Sequence, residues 1–427
     1  MSMAMRLGSE FVRHTSSLSG LRRSRVVATA AAVGAIATVL AASPTFFPTD
    51  LGTLGGNTSY PLALNDNGVA VGYSTLSDPT LSHAFRWTRG EGMIDLGTLG
   101  GTLSIATAVN GGGVIAGASG TATGSQHAFI WTEKSGMVDL GTLPSLSNSY
   151  ATGISSKNVV IGLSWKATND FTTHGFVWTR NAGMVDLGGL GGDTYPNAVN
   201  CSGLVVGTAY TADFAQSRPF VWTQSTGLID LGSLGGPYGE ALAVSDTGVV
   251  VGYSYTAGDP SYPHPFVWTS DSGMIDLGTL ANGLSGYATA VNNDGIVVGY
   301  TSTIGNEELR AFKWSYATGM INLGTTTSGD SYAAGISQDG VIVGNSVTAD
   351  GQGLQGFAWT PADGLINIDL SGLGTYTQIE SISDGGRVFG FKYRLTGEGR
   401  ATVWNANAGK GPKTAQAASK NSNGRGH

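Results

Sequence analysis

Cysteine, positive charge and helical pattern are all scarce in this chain of 427 residues. Cysteine occurs once, as Cys201, so no intrachain disulfide can form. It stands where comparable turns carry Asn or Asp ("VNCSG" against "VNNDG") and reads as a turn substitution, because no cationic setting that would activate a thiol lies nearby. Between residues 45 and 404 there are 13 basic against 28 acidic residues, a net charge of −15. Such a body repels phosphate backbones, which excludes nucleic-acid binding and leaves a basic partner or a divalent cation open. Gly or Pro interrupts nearly every ten-residue window, so no amphipathic helix of useful length is expected.

Glycine, in contrast, is abundant at 67 residues, and hydrophobic residues make up 41%. That mixture suits an all-β protein with many tight turns and a packed core. At the N-terminus Arg22, Arg23 and Arg25 precede an uncharged stretch, Val26 to Ala42, followed by small residues. This is the layout of a signal peptide over residues 1–42, with cleavage near Ala41 or Ala42, and predicts a secreted, extracellular protein with no membrane insertion after cleavage. General secretion and twin-arginine export both stay open, and an uncleaved anchor is the alternative at this length. Residues 406–427 are polar and small, and read as a disordered tail without an apolar anchor.

Between these ends runs a repeat. Tryptophans fall at 87, 131, 178, 222, 268, 314, 359 and 404, spaced by 44 to 47 residues. A period of about 45 suits propeller blades or some helical solenoids, and strand signals decide for the former. In one unit "YATAV" is a first strand ending at Val291. "NNDG" (Asn292 to Gly295) is a hairpin turn, "IVVGYT" a second strand, "RAFKW" a third and "MINLG" a fourth. The first strands are built of small residues, as expected near a crowded axis. "VVVG" at Val249 to Gly252 is apolar on both faces, as a strand covered on both sides should be. Phe and Trp two apart on the third strand put two rings on one face, to fill the wedge between adjacent blades.

The "DLG" strands, at Asp50, Asp95, Asp139, Asp186, Asp230, Asp276, Asn322 and Asp369, are out of phase with the tryptophans. The first precedes any Trp strand, and none follows Trp404. The expected fold is therefore an eight-bladed β-propeller over residues 45–405, built of four-stranded repeats. Its N-terminal DLG strand would complete the last blade and remove free edges.

Three motifs recur in fixed order: "HAF" at His83 and His127 (with "HGF" at His174 and "HPF" at His264), "DLGTLGG", and "AVNNDGIVVG". In these the chain resembles the bacterial extracellular HAF-repeat family over essentially residues 45–405. The resemblance implies export and repeat architecture, and no established activity. It departs where His gives way to Arg218, Arg310, Gln355 and Arg400, and where "TVW" replaces "FxW" in the last unit.

Candidate sites follow from what breaks or decorates the repeat. The motif histidines sit one per blade, too far apart around a ring to share a zinc ion, so a structural role is expected. The repeated aspartates should bond backbone donors in a neighbouring turn. Turns such as Asn65 to Gly68 resemble fragments of calcium loops but lack the distal Glu. No catalytic, metal or cofactor residue is assigned. The binding candidates are Tyr60, Tyr150, Tyr195, Tyr287 and Tyr332, each five residues before the turn Asn or Ser. They are read as the starts of innermost strands, ringing the mouth of an axial channel. Packing between blades is the alternative role. Aromatic faces beside hydroxyls suit a carbohydrate or peptide ligand.

The expected function is a non-enzymatic binding scaffold acting as a monomer, with a glycan or a peptide as partner. The competing reading is an exported polysaccharide lyase or hydrolase. That reading needs asymmetric polar groups near the channel, for which Glu240, Glu380 and Asn197 are the departures from the repeat.

Overall fold

Each tryptophan-bearing segment folds into an antiparallel meander. The Trp268 unit is representative: Gly235–Val244, Val250–Thr256, Pro263–Thr269 and Gly273–Asp276 pair in that order. The computed structural model describes residues 45–166, 172–259, 261–303, 308–368, 376–393 and 398–407. The segment read as a signal peptide, Asp369 and most of the C-terminal polar stretch lie outside the described residues. Among the described residues the strands form six four-stranded sheets and one eight-stranded sheet. In the latter, the Trp87 and Trp131 meanders are joined by a single parallel pair, Ser82 with Leu103. Successive meanders pack face to face, which is the organisation of a β-propeller. Among the described residues no helix is long and apolar enough to cross a membrane.

The N-terminal strand Thr45–Asp50 pairs with Gly399–Asn407, on the edge where other units carry their own DLG strand. The equivalence is chemical as well as positional. The N–H of Leu51 donates to the Ala401 carbonyl at 3.0 Å. The same bond runs from Leu96 to Ala84, from Leu140 to Ala128 and from Leu277 to Pro265. Leu51 is buried with Leu64, Phe85 and Trp87 of the first unit and with Phe389, Ala401 and Val403 of the last.

The core lies between units. Phe85, Phe129, Phe176, Phe220, Phe266, Phe312 and Phe357 are wholly buried. Phe266 packs with Val250 and Ala241 of its own unit against Val206 and Val221 of the preceding one, flanked by Trp268 and Met274. Both faces of the second strand are thereby covered, which is why Val250 and Val251 are both fully buried.

The glycine that ends "VVVG" has a separate cause. In every unit the first strand bulges three residues before its turn, as between Ala241 and Ala243. The bulge pushes the preceding carbonyl toward the second strand. A Cβ on Gly252 would lie 1.9 Å from the Glu240 oxygen, and one on Gly299 would lie 2.0 Å from that of Tyr287. Backbone cannot yield at that distance. The "GG" doublets, in contrast, are not links between blades as their sequence suggests. Gly55, Gly100, Gly191 and Gly235 open first strands. Their partners Gly56 and Gly236 lie against second-strand backbone that would meet a Cβ at 2.6 and 2.5 Å.

Gly252→Ala should cost about 1–3 kcal/mol in chemical denaturation, the usual penalty of overpacking. Gly111→Ala, where no atom lies within 4 Å of the new Cβ and φ is ordinary, should be near neutral. Deleting residues 45–50 should expose the fully buried Trp404. The expected readout is a red shift in tryptophan emission together with a lower melting temperature.

Candidate functional site

The motif histidines and aspartates are partners within one unit. His83 Nδ1 lies 2.9 Å from Asp95 Oδ2, His127 2.8 Å from Asp139, His174 2.9 Å from Asp186 and His264 2.9 Å from Asp276. The register of the third and fourth strands makes this contact, since Phe85 pairs with Asp95 two residues beyond His83. The same aspartate accepts the N–H of the glycine two residues on, as Gly97 to Asp95 at 2.7 Å. Both motifs are therefore spent on holding the outer hairpin. Among the described residues no three His, Cys, Asp or Glu side chains gather as a metal site.

The five candidate tyrosines lie on one face of the first strands, all half-buried. They are not uniformly at strand starts. Tyr60 and Tyr195 are well inside Gly55–Leu64 and Gly191–Val199, because the glycine doublets extend those strands. Tyr150, Tyr287 and Tyr332 lie second or third in theirs. Strand register sets each against a second-strand residue: Tyr60 against Tyr73, Tyr150 against Leu163, Tyr195 against Thr208, Tyr287 against Tyr300 and Tyr332 against Asn345.

Three of the five join ring contacts that cross unit boundaries. Tyr253, Tyr287, Tyr300 and Tyr332 form a chain with centroids 4.8, 5.2 and 5.0 Å apart. Tyr60 stacks on Tyr73 at 4.9 Å and meets Phe391 of the last unit edge-on at 5.1 Å. Tyr195 contacts Tyr210 at 6.1 Å within its own unit. Where the Trp131 unit places Ile105 and Ala118, the aromatic band is interrupted. Burial pushes the Tyr150 and Tyr287 hydroxyls up to about 12. The Tyr195 and Tyr332 hydroxyls donate to Asp193 and Asp330 at 2.8 and 3.2 Å. Those carboxylates also accept the Thr173 and Leu309 N–H groups of the preceding unit.

Glu240 occupies the tyrosine position of its unit, five residues before Ser245, and pairs with Tyr253. Burial raises its carboxyl above the ordinary value, offset in part by the hydrogen bond from Tyr253. Glu380 is also raised by burial, and it accepts from Gln378 Nε2 at 2.7 Å. Glu380 sits at the bulge position, like Asn197, whose Nδ2 donates to the Ala241 carbonyl of the next unit at 2.8 Å. Asn197 is thus a joint between units. Counting back from each turn residue would have separated these two positions in the sequence.

A cavity of about 350 Å3 lies elsewhere, at the turn end between the Trp314 and Trp359 units. Asp294, Gln338 and Asp339 help to line it, and the Lys313 ammonium stands 4.4 Å over the Trp359 ring.

No family model matches the chain, and no curated protein matches it. Solved structures do. The β-propeller domain of the Trilobed protease from Pyrococcus furiosus is similar at 11% identity and a TM-score of 0.45, over 70% of this chain and 93% of that one. The Dos1 propeller is similar at 10% identity and a TM-score of 0.49, over 85% and 95%. Dipeptidyl peptidase 4 from Porphyromonas gingivalis is similar at 9% identity and a TM-score of 0.49, over 77% and 56%. At these scores the likenesses carry no argument about chemistry.

The Asp276 hydrogen bond raises the His264 imidazole above its ordinary value. A raised folded value means that the pair's contribution to stability is complete below an unfolded imidazole value of about 6.5 and is lost as pH rises through the folded value. An NMR titration should place the His264 midpoint above about 6.5, and Asp276→Asn should lower it.

Proposed function

We propose that this chain is an exported binding scaffold of the HAF-repeat type, a closed wheel of eight blades that holds a glycan or peptide against an axial band of aromatic rings. Closure is supported by bonds joining the two ends of the repeat. The Ala401 N–H donates to Ser59 Oγ at 3.1 Å, just as Ala84 donates to Ser104 of the next unit. The Gly385 N–H donates to Asp66 Oδ1 at 2.6 Å, across 319 residues of sequence. In such a wheel the first strands line the axis, so the tyrosine face is the channel wall.

The observation that carries the binding reading is the aromatic band itself. Its rings are half-buried rather than sealed, and Tyr238 beside them is 41% exposed. Rings with one free face and a hydroxyl suit sugar or peptide stacking. The polar motifs that recur once per unit are occupied in holding strands together. That favours a binder over a lyase or hydrolase, which needs an acid, base or nucleophile free to act.

A glycan and peptide array with turnover assays on every hit tests the reading. The expected result is retention without product, lost in a Tyr60→Leu, Tyr287→Leu double variant that keeps its circular dichroism spectrum. New reducing ends or unsaturated sugars would instead make the chain an enzyme. Absence of any retained ligand would remove the binding role.

A further inference from the structure

The aromatic band has one charged break, at Glu240. The first strand of the Trp268 unit sets Tyr238 and Glu240 on one face, two residues apart. The second strand pairs Glu240 with Tyr253 and Gly239 with Ser254, and Tyr255 lies beside Tyr238 just beyond that paired register. The four side chains make one patch. Tyr238 meets Tyr255 at 5.7 Å and Tyr253 meets Tyr255 at 6.5 Å. Tyr287 of the next unit closes one side, 4.8 Å from Tyr253. Tyr210 of the preceding unit lies within electrostatic reach of both Glu240 and Tyr238.

A linked group of tyrosine rings thus includes one carboxylate, bonded by Tyr253, in a body of net charge −15 between residues 45 and 404. Aromatic faces carry negative potential and attract a cation that lies over them. A carboxylate among such rings supplies the counter-charge at close range, where partial burial weakens solvent screening. A neutral sugar could use that carboxylate only as a hydrogen-bond acceptor, whereas a cation also gains its charge, and an anion is repelled by it.

We infer that the Tyr210, Tyr238, Tyr253, Tyr255, Tyr287 and Glu240 cluster is a binding site for an alkylammonium group. This deepens the scaffold reading above and rests on its channel-facing placement of the first strands. Either a lysine side chain of a peptide or a quaternary amine carries that group.

Calorimetric titration of the full chain distinguishes the sources. Choline is compared with 3,3-dimethylbutanol, its neutral carbon isostere, and n-butylammonium with 1-butanol. The expected result is that at least one cation binds about tenfold or more tightly than its isostere. Choline alone points to a quaternary amine, and butylammonium to a lysine side chain. In Glu240→Gln the preference should vanish while the melting curve stays close to that of the parent. Should that variant misfold, Tyr238→Leu at the exposed rim should weaken cation binding without unfolding. Equal binding of cation and isostere, no binding of either cation, or an undiminished preference in Glu240→Gln overturns the inference. If any of these occurs while glycans or neutral peptides are still retained by the parent chain, the scaffold reading stands and only the cation site falls.

Discussion

The whole repeat depends on bonds that tie each first strand or its turn to the next unit, in four units through one asparagine. Asn65 Nδ2 donates to the Asn110 carbonyl, Asn110 to Ser155, Asn200 to Ser245 and Asn292 to Ser337, each 45 residues on. The same asparagines close their own turns through Oδ1, as Asn65 does for the Asn67 and Val69 N–H groups. One side chain therefore sets the turn and the spacing together. Serine replaces it in other units and caps the turn, as Ser245 does for Val249, but has no amide to send onward. A neighbour then makes the link. Thr152 donates to Pro196, the Asp246 N–H to Asn293, Gln338 to Asp384, and the Gly385 N–H to Asp66. Each such bond is worth about 0.5–1.5 kcal/mol net, so the crowding at the first strands is held by many small terms.

That constraint reaches outward. Each first strand bulges just before its turn, and the bulge turns a carbonyl into the second strand. Glycine is required opposite it, at Gly72, Gly117, Gly162 and Gly207 as at Gly252. Farther out the units diverge, and Phe and Trp rings fill the widening gap. At the rim only a hairpin remains, and the His–Asp pair holds it. The progression from Ala to Val to Phe and Trp along each repeat is thus a radial ruler written in side-chain volume.

Much of this was legible. The tryptophan beat marked the third strands, the "NNDG" turns marked the ends of the first, and the offset of the DLG copies foretold the pairing of Thr45–Asp50 with Gly399–Asn407. The His–Asp contact was harder, because residues 12 apart meet only once the register of the hairpin is known. The glycine doublets misled, since a glycine that relieves close backbone approach looks like one that frees a turn. Glu240 was visible as an unexpected charge. Its place across from Tyr253 became visible only with the strand register.

Function then turns on what symmetry leaves unspent. A residue repeated in nearly every unit serves the frame, because the frame makes the same demand in each. The DLG aspartate and the second-strand glycine answer such demands in nearly every unit, and the histidine and the turn asparagine answer them in four units each. The position five residues before the turn is less uniform: tyrosine fills it in five units, and Ile105, Glu240 and Gln378 fill it in the others. The backbone under them is nearly constant, so a change of side chain alters the surface without disturbing the sheet. A repeat can thereby carry different side chains at one position on a nearly invariant support.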